Sequence, residues 1–567
     1  MTQASSCHSP QVSRAAQAPR DEEEIVAGTV DPQGVAERDD AHLRSLGIKP
    51  ELRRTLGFLS NFAIAFSFIS VSTGSYGNFS IGIGQAGPAF FWSWPIVIIG
   101  QFIVALVFAE LASHFPVAGS IYQWSKRLSN RTLGWFTGWF YFWAQVVTVT
   151  AVAVIVAFVV DGIVQVEGFL DSPDPTGITS MFTFISLVTL FATTLINAYG
   201  VRLLSVLNNI GVGTEILGMF VFALVLLFLA NNQPPSVLFD TAGTEAATGG
   251  NYLPAFALGM FMALFVVYGF DTAGTFGEET IDATRQAPRG VLWSVAISGL
   301  IGAIFLIAVI LAIPSMPDAI AEGQALGFPI ATTIQATLTA EIVAGITVGE
   351  VYLFVILASV LVCTLAIQGA ATRMMFSMSR DRHLPLGSLW GRVHSTFRTP
   401  ANAAIAVGVL AAIPILVIGP LGGFSVSIAA TGLIYLSYLL TNLGVLAARF
   451  RGWPQKPAWF NLGRWGKLVN IMAVLYGGLM LLNIGLWQDR GLFGEFGGEG
   501  RAITNPTIDT FIKPFGNEIA GLPAWPIFET LVLVLLVTGA VYYAVSVRGR
   551  AEDIETADAV TGEAVIG

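Results

Sequence analysis

The sequence carries little charge for its length. Only 11% of its 567 residues are Asp, Glu, Lys or Arg, whereas 54% are hydrophobic and the mean hydropathy is +0.70. A soluble domain holds about 25% charged residues, so this chain cannot cover its own surface in water. The composition therefore predicts a body immersed in lipid. It argues against a secreted enzyme, a nucleic-acid-binding protein and a disordered scaffold.

Cysteine and histidine are also scarce. The two cysteines, Cys7 near the N-terminus and Cys363 inside an apolar run, do not have metal-type spacing, and the five histidines are scattered. The sequence lacks the G-x-S-x-G, H-E-x-x-H, P-loop and C-x-x-C motifs. We therefore expect no disulfide, no metal, no cofactor and no enzymatic activity, and ATP-driven transport by this chain alone is disfavoured.

Residues 1–47 and residues 549–567 carry −4 each, and so hold most of the net charge of −9. Residues 1–54 and residues 548–567 are acidic, polar and short of aromatic side chains. This composition predicts cytoplasmic tails that are disordered over residues 1–47 and 549–567, and the polar N-terminus argues against a cleavable signal peptide. The body between the tails is nearly neutral, so no basic field indicates nucleic acid.

Twelve apolar runs are long enough to cross a bilayer, which requires about 20 residues in a helix. They cover residues 56–84, 89–113, 134–163, 180–199, 205–230, 252–278, 290–313, 346–372, 400–419, 424–448, 467–488 and 525–547. Of the 28 Lys and Arg residues, 25 fall on one predicted side of the membrane, and only Arg490, Arg501 and Lys513 fall on the other. Because basic loops stay in the cytoplasm, we expect a multi-pass plasma-membrane protein with both termini cytoplasmic.

Small residues interrupt two of these spans at mid-depth. Residues 72–77 interrupt the first span, and residues 268–274 interrupt the sixth. Matched interruptions five spans apart indicate the binding site of a transporter built from inverted repeats, although small residues also allow close helix packing. Amides freed by the first break would attract an anion, and carbonyls freed by the second would attract a cation. An amino acid has one group of each sign.

Four stretches of the chain carry a family resemblance. They are Ser72-Thr73-Gly74 with the glycines up to Gly87; Glu110-Leu111-Ala112-Ser113 up to Gly119-Ser120-Ile121-Tyr122; Gly269-Phe270-Asp271-Thr272-Ala273-Gly274 with Glu278, Glu279, Arg285 and Arg289; and Arg373, Ser379-Arg380-Asp381-Arg382-His383-Leu384-Pro385 and Thr399-Pro400. In these the chain resembles the amino acid–polyamine–organocation (APC) transporters, and among them the GABA, choline and general amino acid permeases.

The resemblance covers residues 55–450 and implies an all-α integral membrane protein with the leucine-transporter fold and 12 transmembrane helices. It implies two inverted five-helix repeats, residues 55–230 and 252–448, with two further helices in residues 467–547. The chain departs from the family where Thr73-Gly74-Ser75 replaces the usual Gly-Ser-Gly. Two side chains then stand beside the ligand in place of glycines.

The implied substrate site lies at the two breaks. The amides of Thr73, Gly74 and Ser75 would bind a carboxylate, with Gly269 opposite, unless these residues only form a packing kink. Phe265 matches the aromatic residue that gates the site from outside in the arginine–agmatine exchangers of the family. The alternative is that Phe265 only packs against its neighbours. Asp271 aligns with an acidic residue that takes part in substrate or proton binding in some relatives. The alternative role for Asp271 is to cap the N-terminus of a helix.

Glu215 is the second acid at mid-depth, about eleven residues into the fifth span. Many APC members have a Lys here, which replaces a sodium ion or carries the coupled proton. A Glu could cycle between protonated and ionised forms, help to bind a cation, or pair with a hydroxyl or amide. Neither Glu215 nor Asp271 has a basic residue in its own span, so each must be protonated, hydrated or matched to a cation.

The remaining charged candidates cluster at the predicted cytoplasmic ends of the spans. We expect them to form an ion-pair network that closes the inner gate, with Glu110 and Tyr122 in structural roles. The candidates are Glu110, Glu278, Glu279, Arg285, Arg289, Arg380 and Asp381.

Secondary active transport of amino acids, with proton-coupled uptake by alternating access, is the predicted function. Sodium coupling and exchange stay open, and the expected partners are a small-molecule substrate, a coupling ion and the bilayer. The alternative substrate is a carboxylate-free amine such as choline, ethanolamine or a polyamine, bound by Asp271 and aromatics such as Trp143, Tyr435 or Tyr438. A channel or receptor is disfavoured because there is no continuous polar pore. A membrane enzyme is disfavoured because His and Asp do not cluster.

Overall fold

The computed structural model describes residues 32–164, 180–248, 250–324, 327–343, 346–425, 427–485 and 527–549. Within them, ten helices are long and apolar enough to cross a membrane, and two shorter apolar helices cover residues 252–266 and 401–417. Each of the twelve predicted runs overlaps one of these helices. The predictions for residues 1–31 and 550–567, for Cys7 and for the three outer basic residues lie outside the described residues.

The first half of the chain forms eight helices. Lipid offers no partner to a backbone N–H or C=O, so the apolar runs satisfy these groups internally as helices. The helices are α1 (Pro32–Ser45), α2 (Phe58–Ile69), α3 (Val71–Ala86), α4 (Ser93–His114), α5 (Ser120–Leu128), α6 (Arg131–Val164), α7 (Met181–Tyr199) and α8 (Val201–Leu229).

The second half adds twelve helices and a small hairpin among the described residues. The helices are α9 (Tyr252–Gly259), α10 (Phe261–Val266), α11 (Thr272–Thr275), α12 (Ala283–Ala312), α13 (Met316–Gln324), α14 (Pro329–Thr337), α15 (Val348–Arg380), α16 (Gly387–Trp390), α17 (Ala401–Ser425), α18 (Ser427–Phe450), α19 (Gly466–Asn483) and α20 (Ile527–Tyr542). Strands β1 (Glu341–Val343) and β2 (Ile346–Thr347) pair antiparallel before α15.

The first span is broken at Ser70, between α2 and α3. Ser70 has a left-handed φ of 31°; its amide ends α2 on the carbonyl of Phe66, and its own carbonyl accepts the amide of Gly74. The predicted interruption at residues 72–77 is therefore wrong by a few residues, since these residues are helical. Their small size serves helix packing instead, because a Cβ at Gly74 would lie 2.3 Å from Cγ2 of Val266.

The sixth span is broken between α10 and α11, over residues 267–271. Gly269 has a φ of +85°, and a Cβ built on it would lie 1.9 Å from Cδ1 of Phe68. Only glycine fits both the conformation and the contact. The break overlaps the predicted interruption at residues 268–274.

The two breaks face each other inside the bundle. The rings of Phe68 and Tyr268, one beside each break, are 6.3 Å apart. Cys363 of α15 completes the contact by donating its thiol to the carbonyl of Phe68 at 3.7 Å. Two irregular backbone segments thus meet at mid-depth, buried among α3, α10 and α15.

One end of the bundle carries most of the described cations and is called the basic face below. It holds Lys126, Arg131, Arg289, Arg380 and Arg451, which lie at helix ends that meet there. Residues 32–56 also pack on this face, so the prediction of a disordered tail as far as residue 47 is wrong for residues 32–47.

A short amphipathic pattern explains why this segment is ordered. Val35 and Leu43 are buried on one face of α1, and Ile48 and Leu52 are buried in the chain that follows. Residues spaced by four or eight share a helix face. The acids and arginines between these apolar residues made the pattern difficult to recognise in the sequence.

Candidate functional site

Glu215 of α8 lies at the break in the first span. Its Oε1 accepts hydrogen bonds from the Ser70 hydroxyl at 3.0 Å, the Ser72 amide at 3.1 Å and the Ser72 hydroxyl at 2.8 Å. The side chain is 2% exposed. A carboxylate at a helix N-terminus satisfies unpaired amides and faces the positive end of the helix dipole. Glu215 therefore caps α3 from a neighbouring helix.

The position of the break determines which backbone amides of α3 lack an intrahelical partner. The first turn of a helix lacks intrahelical partners for its N–H groups, and here that turn is residues 71–73. The amide of Gly74 donates to the Ser70 carbonyl at 3.1 Å, and Ser75 lies deeper in α3. The prediction that Gly74 and Ser75 offer free amides is therefore wrong, whereas the Thr73 amide stays in the first turn.

Asp271 lies at the break in the sixth span and is fully buried. Its Oδ1 accepts hydrogen bonds from the hydroxyls of Tyr141 and Tyr438, both at 2.6 Å, and its Oδ2 accepts one from Ser120 at 2.8 Å. The carboxylate makes no capping bond to α11. Asp271 therefore occupies the N-cap position of α11, but its side chain does not cap the helix.

The hydroxyl groups around Asp271 tie four elements together. Ser120 comes from α5, Tyr141 from α6 and Tyr438 from α18, and the Tyr438 hydroxyl also accepts the Gly269 amide at 2.9 Å. An ionised carboxylate offers about four acceptor sites, so Asp271 has about one left for a substrate or ion. No spacing pattern points to Tyr141, and Tyr438 was expected only as an aromatic surface for an amine.

Phe265 lies in α10, one turn before the break. It is 5% exposed, and its ring is 5.8 Å from that of Tyr268 and 5.9 Å from that of Phe261. Tyr268 in turn contacts Phe68 across the two breaks. The aromatic chain thus runs from Phe265 to the centre of the bundle.

Two arginines of α15 bind the acids that follow α11 at the basic face. Arg373 holds Glu279 with two hydrogen bonds of 2.8 and 3.1 Å, and both side chains are buried. Arg380 holds Glu278 at 2.9 and 3.1 Å. Paired bonds of this kind are the strong form of an ion pair, and they fix the end of the sixth span against α15.

The observed ion-pair network contains different cations from the predicted network. Arg285 and Arg289 are exposed on α12 and form no ion pair among the described residues, and Arg289 lies over the ring of Trp459 at 4.6 Å. They are four residues apart and share the outward face of α12. The prediction that they belong to an ion-pair network is therefore wrong, since α15 supplies the partners of Glu278 and Glu279.

Asp381, just beyond α15, is the second anchor of this face. It accepts hydrogen bonds from Lys126 and from the Tyr122 hydroxyl, each at 2.6 Å. Burial alone would raise the pKa of the Asp381 carboxyl, but Lys126 and Arg380 outweigh burial and hold that pKa below its ordinary value. Asp381 thus stays ionised and ties α5 to α15.

Glu110 is paired with Arg449 and also accepts the amide of Leu462 at 3.0 Å. Both charged side chains are buried. The pair joins α4 to α18, away from the two breaks, which supports a structural role.

Long apolar helices, two of them broken where they meet at mid-depth, form the architecture of a multi-pass membrane transporter. The chain belongs to the amino acid permease family, because the model of that family matches residues 56–489. Family and fold are those of membrane transporters rather than enzymes.

Several known proteins are similar to this chain. The amino-acid permease BAT1 homolog of Oryza sativa subsp. japonica is 30% identical over 79% of this chain and 88% of its own length. The amino-acid permease BAT1 of Arabidopsis thaliana is 29% identical, with coverages of 78% and 87%. The thiamine transporter thi9 of Schizosaccharomyces pombe is 25% identical, with coverages of 70% and 74%.

A solved structure shares the fold. The crystal structure of MhsT in complex with L-phenylalanine matches with a TM-score of 0.51 and 16% identity, covering 76% of this chain and 98% of MhsT. MhsT has the leucine-transporter fold. The predicted APC membership and the predicted fold class are thereby confirmed.

Proposed function

We propose that this permease takes up amino acids by alternating access, driven by protons that bind Glu215. One observation carries the proposal: Glu215 occupies the N-terminus of α3, where a substrate carboxylate would bind. The basic face is then cytoplasmic, as the distribution of Lys and Arg predicts, and the membrane is the plasma membrane. Residues 55–230 and 252–448 are the two repeats, followed by two helices in residues 467–547.

Competition between the carboxylates of Glu215 and the substrate would couple substrate binding to proton binding. Two like charges about 4 Å apart repel by about 4 kcal/mol at an effective dielectric constant of about 20. An ionised Glu215 would therefore exclude the substrate carboxylate from the amides of residues 71–73. A proton taken from outside neutralises Glu215 and lets the substrate bind, and release of that proton to the cytoplasm restores the repulsion and expels the substrate.

The other site residues have distinct proposed roles. The first turn of α3, with the Thr73 amide, forms the carboxylate subsite, and backbone carbonyls around Gly269 bind the ammonium group. Phe265 covers the site from the outer side. Asp271 fixes the geometry of the second break and is the second candidate for the coupled proton.

A carboxylate-free amine is the second candidate substrate. Neither Glu215 nor Asp271 forms an ion pair in the part of the chain that the structure describes, and a cationic substrate would supply the missing charge. The similarity to a thiamine transporter keeps this candidate open.

A substrate panel in proteoliposomes separates the candidates. Purified protein would be offered labelled α-amino acids, GABA, choline, ethanolamine and a polyamine under an inward proton gradient. We expect zwitterions to accumulate and the amines to be excluded. Accumulation of the amines alone would contradict the carboxylate subsite, and a steady ionic current without solute uptake would indicate a channel.

We expect Phe265→Ala to weaken substrate binding more than stability, because it removes one wall of the site. The matched control is Phe261→Ala, which lies one turn earlier in α10 and is also buried. Removing either ring costs about 3–5 kcal/mol of packing. Uptake kinetics should show a raised KM for Phe265→Ala only, and equal KM values for the two variants would make Phe265 a packing residue.

A further inference from the structure

Residues 32–56, named the N-terminal clasp here, lie across the basic face and join the first span to the sixth. The amides of Thr55 and Leu56 donate to the Glu279 carbonyl, both at 3.0 Å, and the Ile281 amide donates to the Leu56 carbonyl at 2.8 Å. The chain that enters α2 is therefore paired, backbone to backbone, with the chain that leaves α11. This contact links the cytoplasmic ends of the two broken spans directly.

Polar side chains strengthen this link. The Asp282 amide donates to Oδ2 of Asp39 at 2.8 Å, and Arg54 donates to the Thr280 carbonyl at 3.1 Å and to Oδ1 of Asp40 at 3.0 Å. Arg54 also lies 3.7 Å from Asp39. Its side chain is 11% exposed, so these charge-assisted bonds are shielded from water and salt. Arg54 thus joins both ends of the clasp to the sixth span.

The clasp also reaches the neighbouring elements of the basic face. Arg127 of α5 donates to the Leu46 carbonyl at 2.9 Å, and Nε2 of His42 lies 3.1 Å from the carbonyl of His114, where α4 ends. Four apolar side chains anchor the segment beneath these bonds, namely Val35, Leu43, Ile48 and Leu52. The clasp therefore spans α2, α4, α5 and the chain after α11.

We propose that the N-terminal clasp is a built-in lock that controls how often the site opens toward the basic face. The site can open there only if α2 moves away from the end of the sixth span, and the paired backbones at Leu56 and Glu279 resist that movement. The lock rests on the proposed alternating access, but not on the identity of the substrate or the coupling ion. Its release would be the step at which the N-terminal region regulates transport.

Side-specific labelling of Cys363 tests the lock. Cys363 is buried behind α2, with its thiol on the Phe68 carbonyl, so an outward swing of α2 exposes it. In a Cys7→Ser background it is the sole thiol, because the chain has two cysteines. A membrane-impermeant maleimide would be applied to each side of vesicles without substrate or ion gradient. We expect Arg54→Gln to label about tenfold faster from the basic-face side and at an unchanged rate from the other side.

The controls separate a lock from a merely stabilising contact. Lys49→Gln alters an ion pair of the same segment whose lysine is 83% exposed, and it should label like the unmodified protein. Arg54→Lys, which keeps the charge, should be labelled at a rate between those of Arg54→Gln and the unmodified protein. If Arg54→Gln aggregates, Arg127→Gln provides a second test. This variant removes the hydrogen bond to the Leu46 carbonyl and should also be labelled faster from the basic-face side.

Equal labelling of the clasp variants and Lys49→Gln from the basic-face side would overturn the lock, and so would a lowered Tm with labelling raised equally from both sides. Labelling does not depend on what is transported. A failed substrate panel alongside faster labelling would therefore contradict the proposed substrate and leave the lock standing.

Discussion

A Glu215→Gln protein is expected to bind substrate with an affinity that no longer varies with pH, and to lose proton-driven accumulation. Gln keeps an oxygen for Ser70 and Ser72 but cannot titrate, so it imitates the protonated state at every pH. A coupled charge is worth about 2.3 kcal/mol per 100 mV, which corresponds to about 50-fold accumulation. Uptake into proteoliposomes at 100 mV should therefore fall from about 50-fold to simple equilibration.

The matched control is Glu341→Gln, an exposed acid of β1 that lies away from both breaks. It should accumulate substrate like the unmodified protein. If Glu215→Gln still concentrates substrate under a pH gradient alone, the proton does not travel on Glu215. Asp271 would then be the better candidate, or the protein would be an exchanger in which a second substrate resets the site.

Gly269→Ala is expected to reduce uptake by at least ~100-fold at equal amounts of inserted protein. The left-handed conformation costs a non-glycine residue about 1–2 kcal/mol, and overpacking adds about 1–3 kcal/mol. Here the new Cβ would lie 1.9 Å from the Phe68 ring, so the two breaks must move apart. The bond from the Gly269 amide to Tyr438 would be strained by the same movement.

Gly213→Ala is the control for this substitution. Gly213 lies inside α8, and a Cβ there would meet no atom within 4 Å. Alanine is favoured over glycine by about 1 kcal/mol in a helix, so this variant should transport normally and be slightly more stable. Similar uptake by Gly269→Ala and Gly213→Ala would mean that close contact of the two breaks is not needed for transport.

The spans and the fold could be predicted because lipid imposes a simple rule on sequence. A run of about 20 apolar residues has few alternatives to a helix, and the family motifs fixed the arrangement of the helices. The first break was harder to locate, because small residues mark both breaks and close helix contacts. Gly74 belongs to a close contact with Val266, while the break falls on Ser70, whose left-handed conformation no propensity indicates.

The partners of charged groups could not be predicted, because they depend on tertiary packing. Glu215 and Asp271 were recognisable as acids at mid-depth, but the hydroxyls that satisfy Asp271 come from three separate elements. Likewise, Arg285 and Arg289 were close to Glu279 in sequence, yet Arg373 reaches it from α15. The clasp was missed because its apolar residues are few and widely spaced within a highly charged stretch.

Proton-coupled transport can be tested by the uptake of a labelled amino acid into sodium-free proteoliposomes under an inward proton gradient alone. If a proton enters with each substrate molecule, the amino acid accumulates above equilibrium, accumulates more as the external pH falls, and loses this accumulation when a protonophore is added. Accumulation that requires a sodium gradient and does not respond to pH would contradict proton coupling.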